Sequence, residues 1–405
     1  MRRGPLAELQ FRLLFIGQAV SALGDRITPV ALAFAVLDLT GSTTDLGLVL
    51  AAATLPMLAS LLAGGVWADR VPRQKIMLAS DGVRALAQGT SAALLLSGAA
   101  HLWQLLILQA IYGCAAGFFR PAATGLVPET VRPALLQQAN ALMGLTRDVG
   151  SIVGPAVAGV VVTLLSPGWG LAVDAATFVV SAAFLAGLRV PDRVPGLATG
   201  FVQELREGWY AFRSRRWLWT TVAYFAFFIG FVLAPFQVLG PVVARDELGG
   251  AGAWATIATA TGAGAVLGGV LALRWRPIYP LLISFVLFVV FWGPQLVLLA
   301  IPAPTLLIAV GGLFAGAVMT FAAALWDTVL QSNVPPESLS RVSSYDWLGS
   351  LALQPLGYAV TGPIVASIGA ATMLYAGVAW MLLSSLLLIA VPEVRRLRDR
   401  TTEAV

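Results

Sequence analysis

The sequence predicts an all-α polytopic membrane protein with about 12 transmembrane helices, arranged as two pseudo-symmetric six-helix halves. Three observations predict this fold class. Hydrophobic residues make up 58% of the chain and charged residues 11%, whereas soluble domains are about 25% charged. Apolar runs of about 20 residues, the length that spans a bilayer, alternate with short polar or Pro/Gly breaks. Segments of the first half also recur in the second half.

The length of the apolar runs and the absence of period-two alternation favour helices over strands, since each span must satisfy its own backbone hydrogen bonds in lipid. The predicted spans are 11–38, 44–67, 75–97, 102–122, 136–165, 169–188, 217–240, 251–273, 278–300, 304–328, 343–366 and 370–391. We interpret the first helix as a retained membrane anchor and not as a signal peptide, because Asp25-Arg26 interrupts its apolar run.

Internal repetition supports the two-half arrangement. The matched segments are 64–70 with 268–274, 128–129 with 336–337, and 154–155 with 362–363. Duplication of an apolar unit is typical of transporters, whose substrate site lies at the repeat interface.

The predicted domains are an N-terminal six-helix half (1–190), a cytoplasmic linker (191–216) and a C-terminal six-helix half with a short cytoplasmic tail (217–405). Apolar residues recur at near-helical spacing over 201–212, which predicts an amphipathic helix at the membrane surface. A plain solvated linker is the alternative.

Basic residues indicate the orientation. Lys and Arg concentrate in the even-numbered loops and at the termini, and Arg245 alone falls in an odd-numbered loop. The positive-inside rule then predicts that both termini are cytoplasmic and that the chain lies in the cell (plasma or inner) membrane. The net charge of +5 is thus a topology signal, and we expect no nucleic-acid partner.

The residue types needed for catalysis or metal binding are scarce. The chain has one cysteine, Cys114, and one histidine, His101, which lies in a predicted outer loop. No Ser/His/Asp set, metal-ligand cluster or Walker-type phosphate loop is present in the sequence. We therefore expect no catalytic residues, no metal, no cofactor and no enzymatic activity.

The loop after the second predicted helix reads Gly65-Val66-Trp67-Ala68-Asp69-Arg70-Val71-Pro72-Arg73-Gln74-Lys75. It resembles the signature loop of the major facilitator superfamily, G-x-L-A-D-R-x-G-R-[RK], with Trp67, Pro72 and Gln74 as departures. The resemblance implies a conformational latch that helps to hold the cytoplasmic side closed. Its predicted residues are Gly65, Asp69, Arg70 and Arg73. The alternative is a merely basic inner loop.

A second motif lies in the fifth helix. Residues 150–159 resemble the G-x-x-x-G-P-x-x-G-G motif of the family's drug-proton antiporters, with Ala158 in place of a glycine. Its residues are Gly150, Gly154, Pro155 and Gly159. Proline removes a backbone donor and bends the helix, while the glycines allow close packing. A generic packing kink, or an exporter without protons, is the alternative.

Further strings resemble one branch of the superfamily, the macrolide-efflux and enterobactin-exporter-like group. They are 21–25, 119–122, 127–128, 174–178 and 204–209. The resemblance covers nearly the whole chain. This branch implies export of amphiphilic compounds such as drugs or siderophores.

Intramembrane charges are candidates for function, because they are costly in lipid. Asp25 and Asp148 both lie roughly 20 Å deep at a rise of about 1.5 Å per residue, and the resemblance implies that their helices border a central cavity. We predict both as proton-coupling candidates that could meet at one depth; structural neutralisation is the alternative. The predicted intramembrane charge partners are Arg26, Arg147, Arg120 and Asp327, the last two being gate or latch residues.

Other polar and aromatic residues receive simpler interpretations. Asp81 and Arg84, three residues apart, predict a local helix pair, and Asp174 is interpreted as structural. Amphiphilic cargo requires an apolar, aromatic cavity wall. The predicted cavity residues are Tyr224, Phe228, Phe236, Gln237 and Trp326; contact with lipid or a neighbouring helix is the alternative for each.

The sequence therefore predicts a secondary active exporter of amphiphilic small molecules, drug or siderophore-like, working by proton-coupled antiport and alternating access. Its expected partners are the cargo, protons and membrane lipids, and we expect a functional monomer. A lipid or lysophospholipid translocase is the first alternative. A non-transporting membrane receptor or scaffold on the same fold is the second.

Overall fold

The computed structural model describes residues 4–189, 206, 209–275, 277–395 and 397; within these, the side chains of 62, 63, 65–70, 336–338, 340 and 341 are not described. All regular elements in these ranges are helical. The helices are α1 Leu9–Thr40, α2 Thr43–Arg70, α3 Arg73–Leu96, α4 Leu102–Thr130, α5 Leu136–Leu164, α6 Pro167–Ala186, α7 Arg216–Glu247, α8 Ala251–Arg274, α9 Pro280–Ala300, α10 Thr305–Asn333, α11 Pro336–Leu351, α12 Gln354–Ile368, α13 Ala370–Ile389 and α14 Pro392–Arg395. The predicted all-α, multi-pass architecture is confirmed.

The number of spans differs from the prediction. Among the described residues, 11 helices are long and apolar enough to cross a membrane. The third predicted span is a helix of 24 residues, α3, but it is not one of the 11. Its sequence carries Arg73, Lys75, Asp81 and Arg84, which make it more polar than the others. The count of 12 stays a prediction.

The chain forms two compact units. The first contains Met1–Gly196 and Gly249–Ala255, and the second contains Leu197–Leu248 and Thr256–Val405. In the first unit α1 packs on α5 and α6, α3 on α4 and α6, and α2 on α4. In the second unit α9 packs on α10 and α13, and α7 packs on α11 and α12. Of the predicted linker helix over 201–212, residues 201–205, 207 and 208 lie outside the described residues, so the three-part division stays a prediction.

Prolines explain where the helices of the second unit deviate from regular geometry. A wide π-type turn at Ile229–Leu233 interrupts α7, and another at Phe288–Trp292 interrupts α9. Pro235 and Pro294 follow these turns. A proline ring collides with the carbonyl four residues earlier and donates no hydrogen bond, so the preceding turn widens.

Glycines set the distance between α2 and α4. A Cβ atom on Gly113 would overlap the carbonyl oxygen of Ala53, and one on Gly64 would lie 2.9 Å from the Cα of Phe118. Backbones can approach this closely only where no side chain intervenes. The second unit uses the same device, because a Cβ atom on Gly264 of α8 would overlap the carbonyl oxygen of Leu313 of α10.

Gly113→Ala tests this packing. The added methyl group meets backbone atoms that cannot rotate away, so we expect a loss of about 1–3 kcal/mol in the free energy of unfolding. Thermal unfolding in detergent measures it. Gly82→Ala is the matched control, since a Cβ atom there meets nothing within 4 Å. Alanine at position 82 should gain up to about 1 kcal/mol through helix propensity. Equal stability of the two variants would contradict the account.

Candidate functional site

Four helices of the first unit enclose a group of interacting polar side chains, which we name the buried polar cluster. Its members are Asp25 and Thr28 of α1, Asp81, Arg84 and Gln88 of α3, Gln109 and Tyr112 of α4, and Asp174 of α6. Asp81, Gln88 and Asp174 are 0% exposed, and Arg84 is 3% exposed. Because burying such groups without partners costs free energy, the hydrogen bonds and ion pairs among them determine the stability of the cluster.

Arg84 is shared by two carboxylates. It donates a hydrogen bond to Asp81, one helical turn earlier on α3, and its Nη1 lies 3.6 Å from Oδ1 of Asp25 on α1. The rings of Phe119 and Phe178 lie 4.1 Å and 4.2 Å from its guanidinium carbon. These rings exclude water and add cation–π attraction, so the guanidinium depends on the carboxylates for its compensation.

Asp25 is the accessible carboxylate of the cluster. Its side chain is 40% exposed, and the hydroxyl of Tyr112 donates to its Oδ1 at 2.9 Å. The partners of Asp25 thus come from α3 and α4. This carboxylate is accessible, whereas Asp81, the other partner of Arg84, is 0% exposed.

Asp174 forms the second part of the cluster. Its Oδ2 accepts hydrogen bonds from Thr28 Oγ1 at 2.6 Å and from Gln88 Nε2 at 2.9 Å. Gln109 Nε2 donates to Gln88 Oε1 at 3.0 Å. Asp174 also packs directly on α1, since a Cβ atom on Gly24 would lie 2.5 Å from its Oδ1. Thr28 of α1 and Gln88 of α3 therefore bond directly to this carboxyl of α6, and Gln109 of α4 is linked to it through Gln88.

The motif in α5 packs against α1 next to Asp25. A Cβ atom on Gly150 would lie 3.3 Å from the carbonyl oxygen of Ala22, and one on Gly154 would lie 3.2 Å from the Cα of Arg26. Pro155 is buried inside α5, and Gly159 packs on Ala255. The glycines are therefore located at the helix contact that carries the candidate carboxylate.

The predicted meeting of the two charge pairs is described in part, because Arg26 of α1 interacts electrostatically with Asp148 and Arg147 of α5. Asp148 and Arg147 are exposed, and no ion pair joins Asp148 to Arg26 in the described part of the chain. Asp25 pairs with Arg84 instead. Arg120 and Asp327 are exposed, and their roles as gate residues stay predictions.

Of the four predicted latch residues, the structure describes the side chain of Arg73 alone. Gly65, Asp69 and Arg70 lie at the end of α2, where side chains are outside the description. Arg73 donates to the carbonyl oxygen of Gly125 at 2.5 Å and pairs with Glu129 at 2.8 Å. The start of α3 is thereby tied to the end of α4.

Gln74, which stands where the signature loop has a basic residue, also forms hydrogen bonds to a neighbouring segment. Its Nε2 donates to the carbonyl oxygens of Leu185 and Leu188 at 2.7 Å and 2.9 Å. An amide can donate to one carbonyl in the last turn of α6 and to another just beyond it without placing a charge there. The neutral residue at this motif position thus joins α3 to α6.

The predicted cavity residues lie within the second unit. Tyr224, Phe228 and Phe236 are buried, with the Phe228 and Phe236 rings 5.4 Å and 5.3 Å from the ring of Trp292. Tyr358 donates a hydrogen bond to Gln237.

Trp326 lies outside this aromatic contact. Its Nε1 donates to Oδ2 of Asp346 at 2.9 Å, and Asp346 is itself buried. The aromatic residues of the set are packed in the unit's core in this conformation, and their contact with cargo stays a prediction.

Sequence reasoning missed the neutral members of the cluster: Thr28, Gln88, Gln109 and Tyr112. It weighed intramembrane charges and passed over uncharged polar residues inside apolar helices. That signal was present, because a buried amide or hydroxyl in lipid also needs a partner. No three His, Cys, Asp or Glu side chains among the described residues are placed to hold a metal ion together.

The chain is similar to known proteins over most of its length. Residues 14–351 match the family model of the Major Facilitator Superfamily. The chain is 26% identical over 391 residues to macrolide efflux protein A of Streptococcus pyogenes, covering 95% of this chain and 94% of that protein. It is 28% identical over 419 residues to multidrug efflux pump Tap of Mycolicibacterium fortuitum, covering 98% of each.

Solved structures resemble the fold. The nucleoside transporter NupG matches with a TM-score of 0.75 at 13% identity, covering 94% of this chain and 98% of that one. A bacterial homolog of the human lysosomal transporter Spinster, inward-facing and unoccupied, matches with a TM-score of 0.69 at 16% identity, covering 98% of each chain. At these identities the likeness shows the fold alone.

Arg84→Gln tests the shared guanidinium. It leaves Asp81 buried without compensation, so we expect a loss of about 3–5 kcal/mol in the free energy of unfolding. Adding Asp81→Asn should recover about 0.5–3 kcal/mol as a coupling energy. Unfolding of the purified protein in detergent measures both. Arg120→Gln, at an exposed position, is the control and should change stability by no more than about 0.5 kcal/mol. Additive effects of the two cluster substitutions would contradict the pairing.

Proposed function

The chain belongs to the major facilitator superfamily, and we propose that it is a secondary active exporter of amphiphilic small molecules that works by proton-coupled antiport and alternating access. The observation that carries this proposal is Asp25, an accessible carboxylate that shares Arg84 with buried Asp81. Two relatives that match over almost their full length are a macrolide efflux protein and a multidrug efflux pump. Drug-like macrolides are therefore the first cargo to test, followed by siderophores.

Protonation of Asp25 changes the balance of the cluster. When Asp25 is ionised, Arg84 is held between two carboxylates and links α1 to α3. When Asp25 binds a proton, its attraction for Arg84 falls and the guanidinium remains with Asp81. The proton thereby weakens the link between α1 and α3, and it also changes the hydrogen bond that Tyr112 donates from α4.

A helix contact can carry this change toward the bend of α5. Asp25 is followed by Arg26, against which Gly154 packs, and Pro155 is the next residue along α5. A small movement of α1 therefore acts at the residue where α5 lacks a backbone donor. We propose that this contact, with Arg73 as part of the cytoplasmic latch, couples proton binding to alternating access.

Antiport requires cargo and proton to favour opposite states of the protein. External protons bind Asp25, the cargo leaves, and the proton is released to the cytoplasm before new cargo binds. The orientation follows the positive-inside pattern, which supports cytoplasmic termini. Asp148 stays a secondary coupling candidate. The chain is proposed to work as a monomer in the cell membrane.

The proposed cargo contacts are the aromatic residues of the second unit. Phe228 is 0% exposed, so cargo contact there requires α7 to move. The π-type turn Ile229–Leu233 begins at the next residue and is the natural point of adjustment. Gln237 would supply a polar contact beside this wall.

Asp25→Asn tests the coupling role. In inverted membrane vesicles holding a pH gradient, erythromycin should collapse the gradient through the wild type. The asparagine variant should lose this effect at least about tenfold, because the amide cannot bind and release a proton, while it still binds erythromycin. Glu247→Gln is the matched control, since this carboxylate is exposed at the last residue of α7 and is not a member of the buried polar cluster. A pH-sensitive dye and labelled erythromycin give the two readouts.

Normal proton-driven export by Asp25→Asn would overturn the assignment to Asp25. A wild type that moves no protons with macrolides, other drugs or siderophores would overturn proton-coupled export itself. Fluorescent-lipid quenching would then test the lipid translocase alternative.

A further inference from the structure

Asp174 combines deep burial with the absence of a cation. The carboxyl is 0% exposed, and among the described residues no Lys, Arg or His nitrogen lies within 4.0 Å of it. An isolated charge in such a setting is very costly, and a carboxyl normally binds a proton instead. This separates Asp174 from Asp25 and Asp81, which both face Arg84.

The two oxygens of Asp174 have different surroundings. Oδ2 accepts hydrogen bonds from Thr28 and Gln88, whereas Oδ1 is buried without a hydrogen-bond partner. Two donors on Oδ2 suit an ionised carboxylate, and the unpartnered Oδ1 has room for a proton. The surroundings of Asp174 can therefore accommodate both the ionised and the protonated carboxyl.

The titratable groups around Asp174 come from α1, α3 and α4. From α1 comes Asp25, and from α3 come Asp81 and Arg84. From α4 comes Tyr112, whose hydroxyl is bonded to Asp25. The charged residues of α5, Arg147 and Asp148, are exposed. The cluster contains three carboxyls and a single guanidinium, and that guanidinium pairs with Asp25 and Asp81, so it leaves Asp174 without a direct cationic partner.

The cluster is ordered along the helix axes. Gln109 and Asp174 each lie about 10 Å from the first residue of α4 and of α6, at a rise of about 1.5 Å per residue. These two helices run in the same direction across the unit. Asp81 lies about 12 Å from the first residue of α3, which starts at the opposite face. Asp25 and Arg84 lie between them, and Asp25 directly follows Gly24, the α1 residue that packs on Asp174 Oδ1.

We propose that Asp174 is a second proton-binding site of the transport cycle, acting in series with Asp25. It takes its proton from the membrane face at which α4 and α6 begin, with Gln109 and Gln88 leading to it, and exchanges that proton with Asp25. No covalent bond other than O–H forms or breaks. The inference rests on the proposed proton-coupled function and adds a residue that the coupling scheme above does not use.

Asp174→Asn in the full-length protein is the direct test. The amide oxygen can still accept from Thr28 and Gln88, but the side chain no longer binds a proton. In proteoliposomes, erythromycin transport driven by a pH gradient should fall at least about tenfold, with erythromycin binding retained within about twofold. Infrared spectra of the detergent-purified wild type at neutral pH should contain a protonated-carboxyl band that Asp174→Asn loses and that Glu247→Gln, at an exposed position, keeps.

Thr28→Val is the second variant, and it keeps the carboxyl. It removes one donor that favours the ionised form, so the pH of half-maximal transport should rise by about one unit. A purely structural Asp174 would lose stability in this variant without a change in the pH profile. This readout serves even where Asp174→Asn fails to fold.

Three results would overturn the inference. They are full gradient-driven transport by Asp174→Asn, an unchanged protonated-carboxyl band in that variant, and an unchanged pH profile in Thr28→Val. Each would leave proton coupling through Asp25 standing if the wild type still moves protons with erythromycin. A wild type that moves no protons would instead remove the proposed function, and this inference with it.

Discussion

The cost of charge inside an apolar helix bundle is the constraint on which the rest of the first unit depends. Arg84 is 3% exposed and sits between the rings of Phe119 and Phe178, so it can be compensated only by the carboxylates that its neighbours supply. Asp81 supplies one from the same helix, and Asp25 supplies another from α1. The same requirement explains why α3 is the most polar of the long helices of this unit: it carries the charge that the other helices surround.

Close helix packing gives this charge arrangement its geometry. Gly24 brings α1 against Asp174, and Gly150 and Gly154 bring α5 against α1 at the residues that flank Asp25. The accessible carboxylate is therefore located on a helix that is in tight contact with two others. Because these helices are in backbone contact, a change of one charge cannot be accommodated by side-chain movement alone. It alters the fit of helices whose backbones already touch, which is the kind of linkage that alternating access requires.

The sequence predicted the fold class and the superfamily, because run length, repetition and motif spacing are local properties. It also singled out Asp25, whose coupling role stays a prediction. It did not predict the partners of Asp25. Asp148 lies at a similar predicted depth, which made it a reasonable partner. Depth along a helix does not specify which neighbour a side chain faces, and Asp25 faces α3 and α4. Asp81 and Arg84 were read as a local pair; they are bonded as expected, but Arg84 also reaches α1. Asp174 was interpreted as structural, since its hydroxyl and amide donors, Thr28 and Gln88, come from two other helices and no spacing rule joins them to it.

In proton-coupled antiport, cargo and proton stabilise opposite states of the protein. The pH dependence of cargo affinity tests this linkage most directly. By linkage, a protein that releases one proton on binding cargo binds that cargo up to about tenfold more tightly for each pH unit gained, within the range where the coupling carboxyls titrate. Erythromycin binding to the purified wild type, measured by calorimetry across neutral pH, should show this rise, and the rise should weaken in Asp25→Asn. An affinity that does not change with pH would contradict proton-coupled antiport.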